Sequence, residues 1–270
     1  MDDLASVLPA PTNPSRTWPL APEQALLGAA EVHVWQTSLE QPHGIVGRLR
    51  QLLSADEHAR ATRFHFDKDR RHFIVTRGTL RLLLGRYLAI APADLRFAYA
   101  DQGKPSVLLE PAQQPTPLKF NLAHSGGVAV YAFTLVGEIG VDLEQINPQF
   151  SGDDIARRFF SASEVACLEQ LPADARALAF FTCWTRKEAF IKAKGMGLSL
   201  GLDQFDVTLA PDQKEEVLRT RWDESEAGRW SLRALDIGAG YVGAVALEAH
   251  DWQLSCWQFE TTSNQEFSRT

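Results

Sequence analysis

The sequence predicts an α+β protein built from two comparable halves. Two observations carry this: a long helical stretch stands in each half, at 67–88 and at roughly 174–194, and short stretches of alternating apolar and polar residues accompany each. The chain of 270 residues, 45% of them hydrophobic, can bury a substantial core as one large domain or two small ones. No residue-level repeat relates the halves, so the two-lobed expectation rests on pattern. It divides the chain into a proline-rich leader at 1–28, an N-terminal lobe at 29–136, a C-terminal lobe at 137–260 and a polar tail at 261–270.

In the leader, Pro9, Pro11, Pro14, Pro19 and Pro22 break any helix and the apolar residues have no period, which predicts extended chain, draped on the body or disordered. From Glu31, EVHVWQTSL alternates as a strand does. A helix is expected at about 54–62, opened by Ser54 with Glu57 three residues on, the spelling of a capping box. Residues 67–88 keep Phe73, Leu80, Leu84 and Leu88 at helical intervals with arginines between them, so one long helix should pack by its leucine face. LRFAYAD (95–101) leads into QGKPSV, where Gly103 and Pro105 frame Lys104 in a turn, and KFNLAHSGG is strand-like until its glycines. VAVYAFTLV (128–136), Gly137-Glu138 and IGVDLEQI (139–146) read as a hairpin. After Pro148, helices are expected at 154–160, at 161–171 with Ser161 and Glu164 repeating the capping spelling, and at about 174–194, closed by Gly195. FDVTLA, RWSLRALDI, YVGAVALEA and QLSCWQF alternate like strands of a second sheet.

A net charge of -7 argues against a protein that coats nucleic acid or an anionic membrane by bulk electrostatics. No apolar stretch approaches the roughly 18 residues of a spanning helix, and the N-terminus lacks a charged lead followed by an apolar run, so a cytoplasmic protein is expected. Cys167, Cys183 and Cys256 form neither a C-x-x-C pair nor a disulfide framework, which predicts reduced, mostly buried thiols.

Two short stretches carry chemistry. In GVDLE, Asp142 and Glu144 are two apart on an expected strand and present paired carboxylates on one face. In WTRKEAFIKAKG, Glu188 and Lys192 are four apart on an expected helix and share a stripe with Trp184. Each pair has a plainer reading, a solvated acidic face and a surface ion pair. The apolar neighbours Val141, Leu143 and Ile146, and Trp184 one turn before Glu188, point instead to burial, where charge is costly unless compensated. Brought together, three carboxylates and a lysine suit a hard cation such as magnesium, which takes oxygen ligands and is often shared with substrate phosphates. The segment from Arg60 to Arg86 is strongly basic in an acidic chain; it is either a solvated helix face or a cationic patch for a polyphosphate. His124 and Ser125, before Gly126-Gly127, offer donors where backbone approaches a phosphate. AHSGG is not the G-x-S-x-G of a nucleophile elbow, and Gly195, Gly197 and Gly201 end a helix instead of following a strand.

Taken in order, QGKP, FNLAHSG, GVDLE and WTRKEAFIKAKG resemble the motifs of the 4′-phosphopantetheinyl transferases of the Sfp type, over a span from about Arg60 to Leu202. The resemblance implies a pseudo-dimer in one polypeptide, two similar lobes, each a small antiparallel sheet packed against a long helix, with coenzyme A and magnesium between them. It implies transfer of the 4′-phosphopantetheine group from coenzyme A, as co-substrate, to a serine hydroxyl of an apo acyl or peptidyl carrier protein, with release of adenosine 3′,5′-bisphosphate. By position, Asp142, Glu144 and Glu188 would hold Mg2+, Glu188 would also take the serine proton, and Lys192 would neutralise charge at the pyrophosphate. Lys104 and His124 match coenzyme A phosphate contacts, as do Arg60 and the stretch from Arg71 to Arg77. Two departures stand out: His72 where many relatives have arginine, and Ala123 where many have serine. A fold holding both lobes needs no second copy, so a monomer is expected. The rival readings are a metal-dependent nuclease, disfavoured by the helical spacing of acid and lysine and by the acidic chain, and a coenzyme A binding protein without turnover.

Overall fold

The computed structural model describes residues 18–22, 25–100, 103–108, 117–150, 152–209 and 216–261. The leader up to residue 17, with Pro9, Pro11 and Pro14, and the tail from residue 262 lie outside the described residues, as do Asp101, Gln102 and Ala210. The first part of the chain runs β1 (Glu31–Ser38), α1 (His43–Gln51), α2 (Ala55–Thr62), α3 (Asp67–Leu88), β2 (Arg96–Tyr99), β3 (Pro105–Leu108), β4 (Lys119–Ser125) and β5 (Val128–Thr134). The second runs β6 (Ile139–Gln145), α4 (Asp153–Phe159), α5 (Ala162–Gln170), α6 (Ala173–Lys194), β7 (Phe205–Val207), β8 (Val217–Thr220), β9 (Ser231–Leu235), β10 (Tyr241–Leu247) and β11 (Gln253–Gln258). The architecture is α+β with one 22-residue helix in each half, α3 and α6.

The first sheet has the strand order β11-β1-β5-β4, and α3 packs on it through Leu80, Leu83 and Leu84 against Trp35, Tyr131 and Phe133. The helix was expected to bury a leucine stripe, but every residue from Ile74 to Leu84 is buried. The cause is α1, which the sequence reading missed: a Cβ on Gly78 would lie 2.7 Å from Leu49 Cβ, so the two helices cross in near backbone contact. With Gly44, Gly47 and no acid in its first turn, α1 lacks the signals that announce a helix. Enclosing α3 buries Arg77 and Arg81, and Glu57 compensates both, Oε1 accepting from Arg77 Nε at 2.5 Å and Oε2 from Arg81 Nε at 2.7 Å. Glu57 also accepts the Ser54 N–H at 3.0 Å, so the predicted capping box doubles as the counter-ion of the core.

The second half centres on α6 against a three-stranded sheet of order β6-β10-β9, with β7 and β8 paired beside it. Ser161 and Glu164 form the predicted capping box on α5, and Gly195 ends α6 in the left-handed region at φ 68°. Glu164 is also buried against Lys187 Nζ at 2.8 Å, and that ammonium donates to the carbonyls of Leu202 and Phe205, which ties α5, α6 and β7 together.

Three expectations are corrected. Residues 128–146 are not a hairpin: β5 pairs with β4 through the two-residue turn Gly126-Gly127, while β6 pairs with β10 in the other sheet. Gly137-Glu138 therefore lies in a crossover between sheets. QLSCWQF is not in a second sheet but returns to the first as β11, parallel to β1. Beyond it the leader adds a bridge from Leu20 to Gln258, so residues 18–22 lie on the sheet edge. Of the thiols, Cys183 is buried, Cys256 half-buried and Cys167 exposed, all free. Among the described residues no helix is long and apolar enough to cross a membrane.

Candidate active site at the seam between the sheets

The two sheets meet where β4, an edge strand of the first, runs beside β6, an edge strand of the second. No backbone ladder joins them, and side chains of β4 take its place. Asn121 Oδ1 accepts from Val141 N at 3.0 Å and Ser125 Oγ accepts from Gln145 N at 3.1 Å. On the other side of β6, Gly140 admits α6: a Cβ there would lie 2.0 Å from the Ala189 carbonyl oxygen and 2.4 Å from Ala193 N. The close approach brings Asp142 and Glu144 to the stripe of α6 that carries Trp184, Glu188 and Lys192, all half-buried.

Asp142 is buried, and Lys192 Nζ donates to its Oδ1 at 2.6 Å. Its Oδ2 is buried without a hydrogen-bond partner. Burial pushes the Asp142 carboxyl up to about 7, Lys192 working against that rise and the charges of Glu144 and Glu188 adding to it. Burial likewise raises Glu188, with Lys192 opposing and Glu144 reinforcing. The carboxylates thus feel one another within a single poorly solvated neighbourhood. Glu144 Oε2 accepts from Ser125 Oγ at 2.7 Å. His124 keeps an exposed surface yet is held below its ordinary pKa, by desolvation first and then by the neighbouring Lys192 and His72 side chains. His72 reaches the loop after β1, its Nε2 at 2.9 Å from Glu40 Oε1.

The site therefore assembles Asp142, Glu144, Glu188, Lys192, Ser125, His124 and His72 from four elements, α3, β4, β6 and α6. Among the described residues, no three His, Cys, Asp or Glu side chains converge in coordinating geometry; Lys192 holds one Asp142 oxygen and Ser125 one Glu144 oxygen. The donor set nonetheless fits a hard divalent cation: it is all carboxylate oxygen, and the unpartnered Asp142 Oδ2 is the kind of buried polar atom that a cation satisfies.

Three other expected residues are engaged elsewhere. Lys104 donates to Glu138 at 3.0 Å and to the Ala193 carbonyl at 2.9 Å, bracing the last turn of α6. Arg77 is committed to Glu57, to Tyr99 Oη at 2.5 Å and to the Phe97 ring at 4.2 Å. Arg60 is exposed, stacked over Phe73 at 5.4 Å. A depression of about 550 Å³ on α4 and α5, lined by Arg157, Phe160, Asp203 and Arg221, shares no residue with the acidic cluster.

Sequence reasoning missed Asn121, Glu40 and Tyr241, whose Oη accepts from Gly127 N at 3.3 Å. For Asn121 a signal existed, since FNLAHS alternates and sets Asn121 and Ser125 on the same side of β4. Glu40 and Tyr241 carried none, because their partners are distant in the chain.

Residues 34–135 match the family model for the 4′-phosphopantetheinyl transferase N-terminal region, and residues 138–246 match that of the 4′-phosphopantetheinyl transferase superfamily. The 4′-phosphopantetheinyl transferase HetI of Nostoc sp. is 36% identical over 243 residues, 90% of this chain and 98% of its own length. Sfp of Bacillus subtilis, a 4′-phosphopantetheinyl transferase, is 32% identical over 205 residues, 76% of this chain and 86% of its own length. Among solved structures, the holo-[acyl-carrier-protein] synthase of Thermotoga maritima is similar at 18% identity over 42% of this chain and 64% of its own, with a TM-score of 0.33, too low to bear on the fold. With both family models matched side by side and a relative covered almost end to end, the chain belongs to the 4′-phosphopantetheinyl transferases, a family of enzymes.

Proposed function

We propose that the protein transfers the 4′-phosphopantetheine arm of coenzyme A to a serine hydroxyl of an apo acyl or peptidyl carrier protein, releasing adenosine 3′,5′-bisphosphate, with magnesium as the metal. The observation that carries the reading is Asp142: a buried carboxylate with one oxygen on Lys192 and the other without a partner, flanked by Glu144 and Glu188. Asp142, Glu144 and Glu188 would hold the cation, which when bound supplies positive charge to the diphosphate oxygens.

The chain's own groups divide the rest of the work. Lys192, four residues beyond Glu188 on α6, sets an ammonium beside the same phosphates, where charge grows as the phosphorus–oxygen bond to the leaving group breaks. Glu188 carries a raised pKa and is thus a stronger base than an exposed glutamate, suited to taking the proton as the serine oxygen attacks phosphorus. His124, held neutral by its surroundings, offers a ring N–H to a phosphate oxygen without adding a full charge. His72 would add a further phosphate contact, and Lys104 and Arg60 would join it only on leaving Glu138 and the Phe73 ring. Arg77 serves by holding Glu57 and α3 in place, because its guanidinium is already shared with Glu57 and Tyr99. The enzyme acts as a cytoplasmic monomer.

Incubation with coenzyme A labelled in its pantetheine arm, magnesium and an apo carrier protein tests this reading. Label on the carrier serine supports it. Bound but unreacted label would make the protein a coenzyme A binder, and cleavage of added DNA with no labelled carrier would favour a nuclease.

A further inference from the structure

We propose that Ser125 is a positioning residue that, from the first sheet, aims the Glu144 carboxylate of the second; the inference rests on the functional reading above. Ser125 ends β4, and its hydroxyl makes two bonds across the seam, donating to Glu144 Oε2 at 2.7 Å and accepting from Gln145 N at 3.1 Å. With its hydrogen committed to a carboxylate and a lone pair to an amide, this hydroxyl is a fixed donor and not a free rotor. Its hydrogen is therefore not available to a phosphate, the role the motif alone suggested.

The turn that follows keeps the hydroxyl in place. Gly126 has φ +58°, and a Cβ there would lie 2.6 Å from Gln145 Oε1 and 2.7 Å from Tyr241 Oη. Tyr241 also accepts from Gly127 N. Ser125 and its turn are thus clamped onto β6, the strand that carries Glu144, and onto its neighbour β10. A glutamate carboxylate held by one oxygen has lost the swing about its terminal torsion, so it orders less on meeting a cation. Because donor and acceptor belong to different sheets, the acidic cluster is complete only while the seam is closed.

The test measures Mn2+ binding in the presence of coenzyme A, from the electron paramagnetic signal of free Mn2+, and coenzyme A binding in EDTA by calorimetry. The proteins are the wild type, Ser125→Ala, Ser125→Thr, Glu144→Gln and the Ser125→Ala/Glu144→Gln double variant. Ser125→Ala is expected to weaken Mn2+ binding by about tenfold to a hundredfold, with coenzyme A binding in EDTA unchanged. Ser125→Thr should restore most of the loss, and Ser125→Ala should add nothing once Glu144 is glutamine. Should alanine at the seam prevent folding, Ser125→Cys, with its weak thiol donor, carries the same comparison. Wild-type Mn2+ affinity in Ser125→Ala overturns the proposal. So does weakened coenzyme A binding in EDTA with metal affinity intact, which would make Ser125 a ligand contact, or a full further loss in the Glu144→Gln background, which would assign the effect to a loosened seam. A wild-type protein that binds no Mn2+ beyond what coenzyme A itself binds would overturn the functional reading and this inference together.

Discussion

Asp142 concentrates the electrostatics of the site: its burial is unfavourable for the apo protein and useful for the proposed reaction. Asn at this position keeps the shape and removes the buried charge, so Asp142→Asn is expected to retain or raise the melting temperature while magnesium-dependent transfer falls at least about a hundredfold. Thermal denaturation beside a carrier-labelling assay checks both. A second residue, remote from the chemistry, sets a pH dependence. His33 on β1 is buried, its Nδ1 at 2.8 Å from Tyr87 Oη, its Nε2 at 3.2 Å from Glu31 Oε2 and its ring edge-on to Trp257. Burial holds its pKa below the ordinary value and outweighs the opposing pull of Glu31. The unfolded chain takes up this proton near pH 6.5, whereas the folded chain does so only at lower pH. The stability it contributes is therefore complete above about pH 6.5 and is lost as pH falls toward the folded value. His33→Gln should flatten the decline in melting temperature between pH 7.5 and 5.5 by a few degrees.

At the scale of elements, the junction of β6 and α6 is the part on which the proposed chemistry depends. Alanine at Gly140 must displace backbone, since its Cβ meets a carbonyl oxygen and an amide of α6. Gly140→Ala is expected to cost about 1–3 kcal/mol, and because the shift moves Glu188 and Lys192 together, kcat should fall by about a hundredfold. Denaturant titration and steady-state kinetics on one preparation would separate this from loss of fold alone. Helix ends were legible because their signals are local: Ser54 with Glu57, Ser161 with Glu164, and Gly195 each act within a few residues. Strand pairing was not legible. The strand at 128–134 is flanked by two glycine-bearing turns, Gly126-Gly127 before it and Gly137-Glu138 after it, and periodicity is the same whichever sheet a strand joins.

For the molecule as a whole, the halves are knit by β11, which leaves the second half to pair with β1, and by the side-chain bonds between β4 and β6. The bonds to the first half include Gln253 N to the Ala30 carbonyl at 2.9 Å, Phe259 N to Gln36 at 2.7 Å and Gln258 N to Pro19 at 2.8 Å. Ending the chain at Trp252 should strip amide protection from Val32, Val34 and Gln36 before it reaches Val141 and Val245. Hydrogen exchange read by mass spectrometry distinguishes this from uniform loss, which would mean that the two sheets open as one unit.

Local chemistry along the chain was enough to specify the two long helices, their caps, the alternating strands and the choice of Asp142, Glu144, Glu188 and Lys192 as the acidic and basic groups of the candidate site. Those features depend on neighbours a few residues away. Which sheet β6 and β11 would join, that Arg77 would be spent on Glu57, and that Ser125 would face a carboxylate emerged with the folded chain. They depend on the close approach permitted by Gly78 and Gly140 and on burial, and both are properties of segments far apart in sequence.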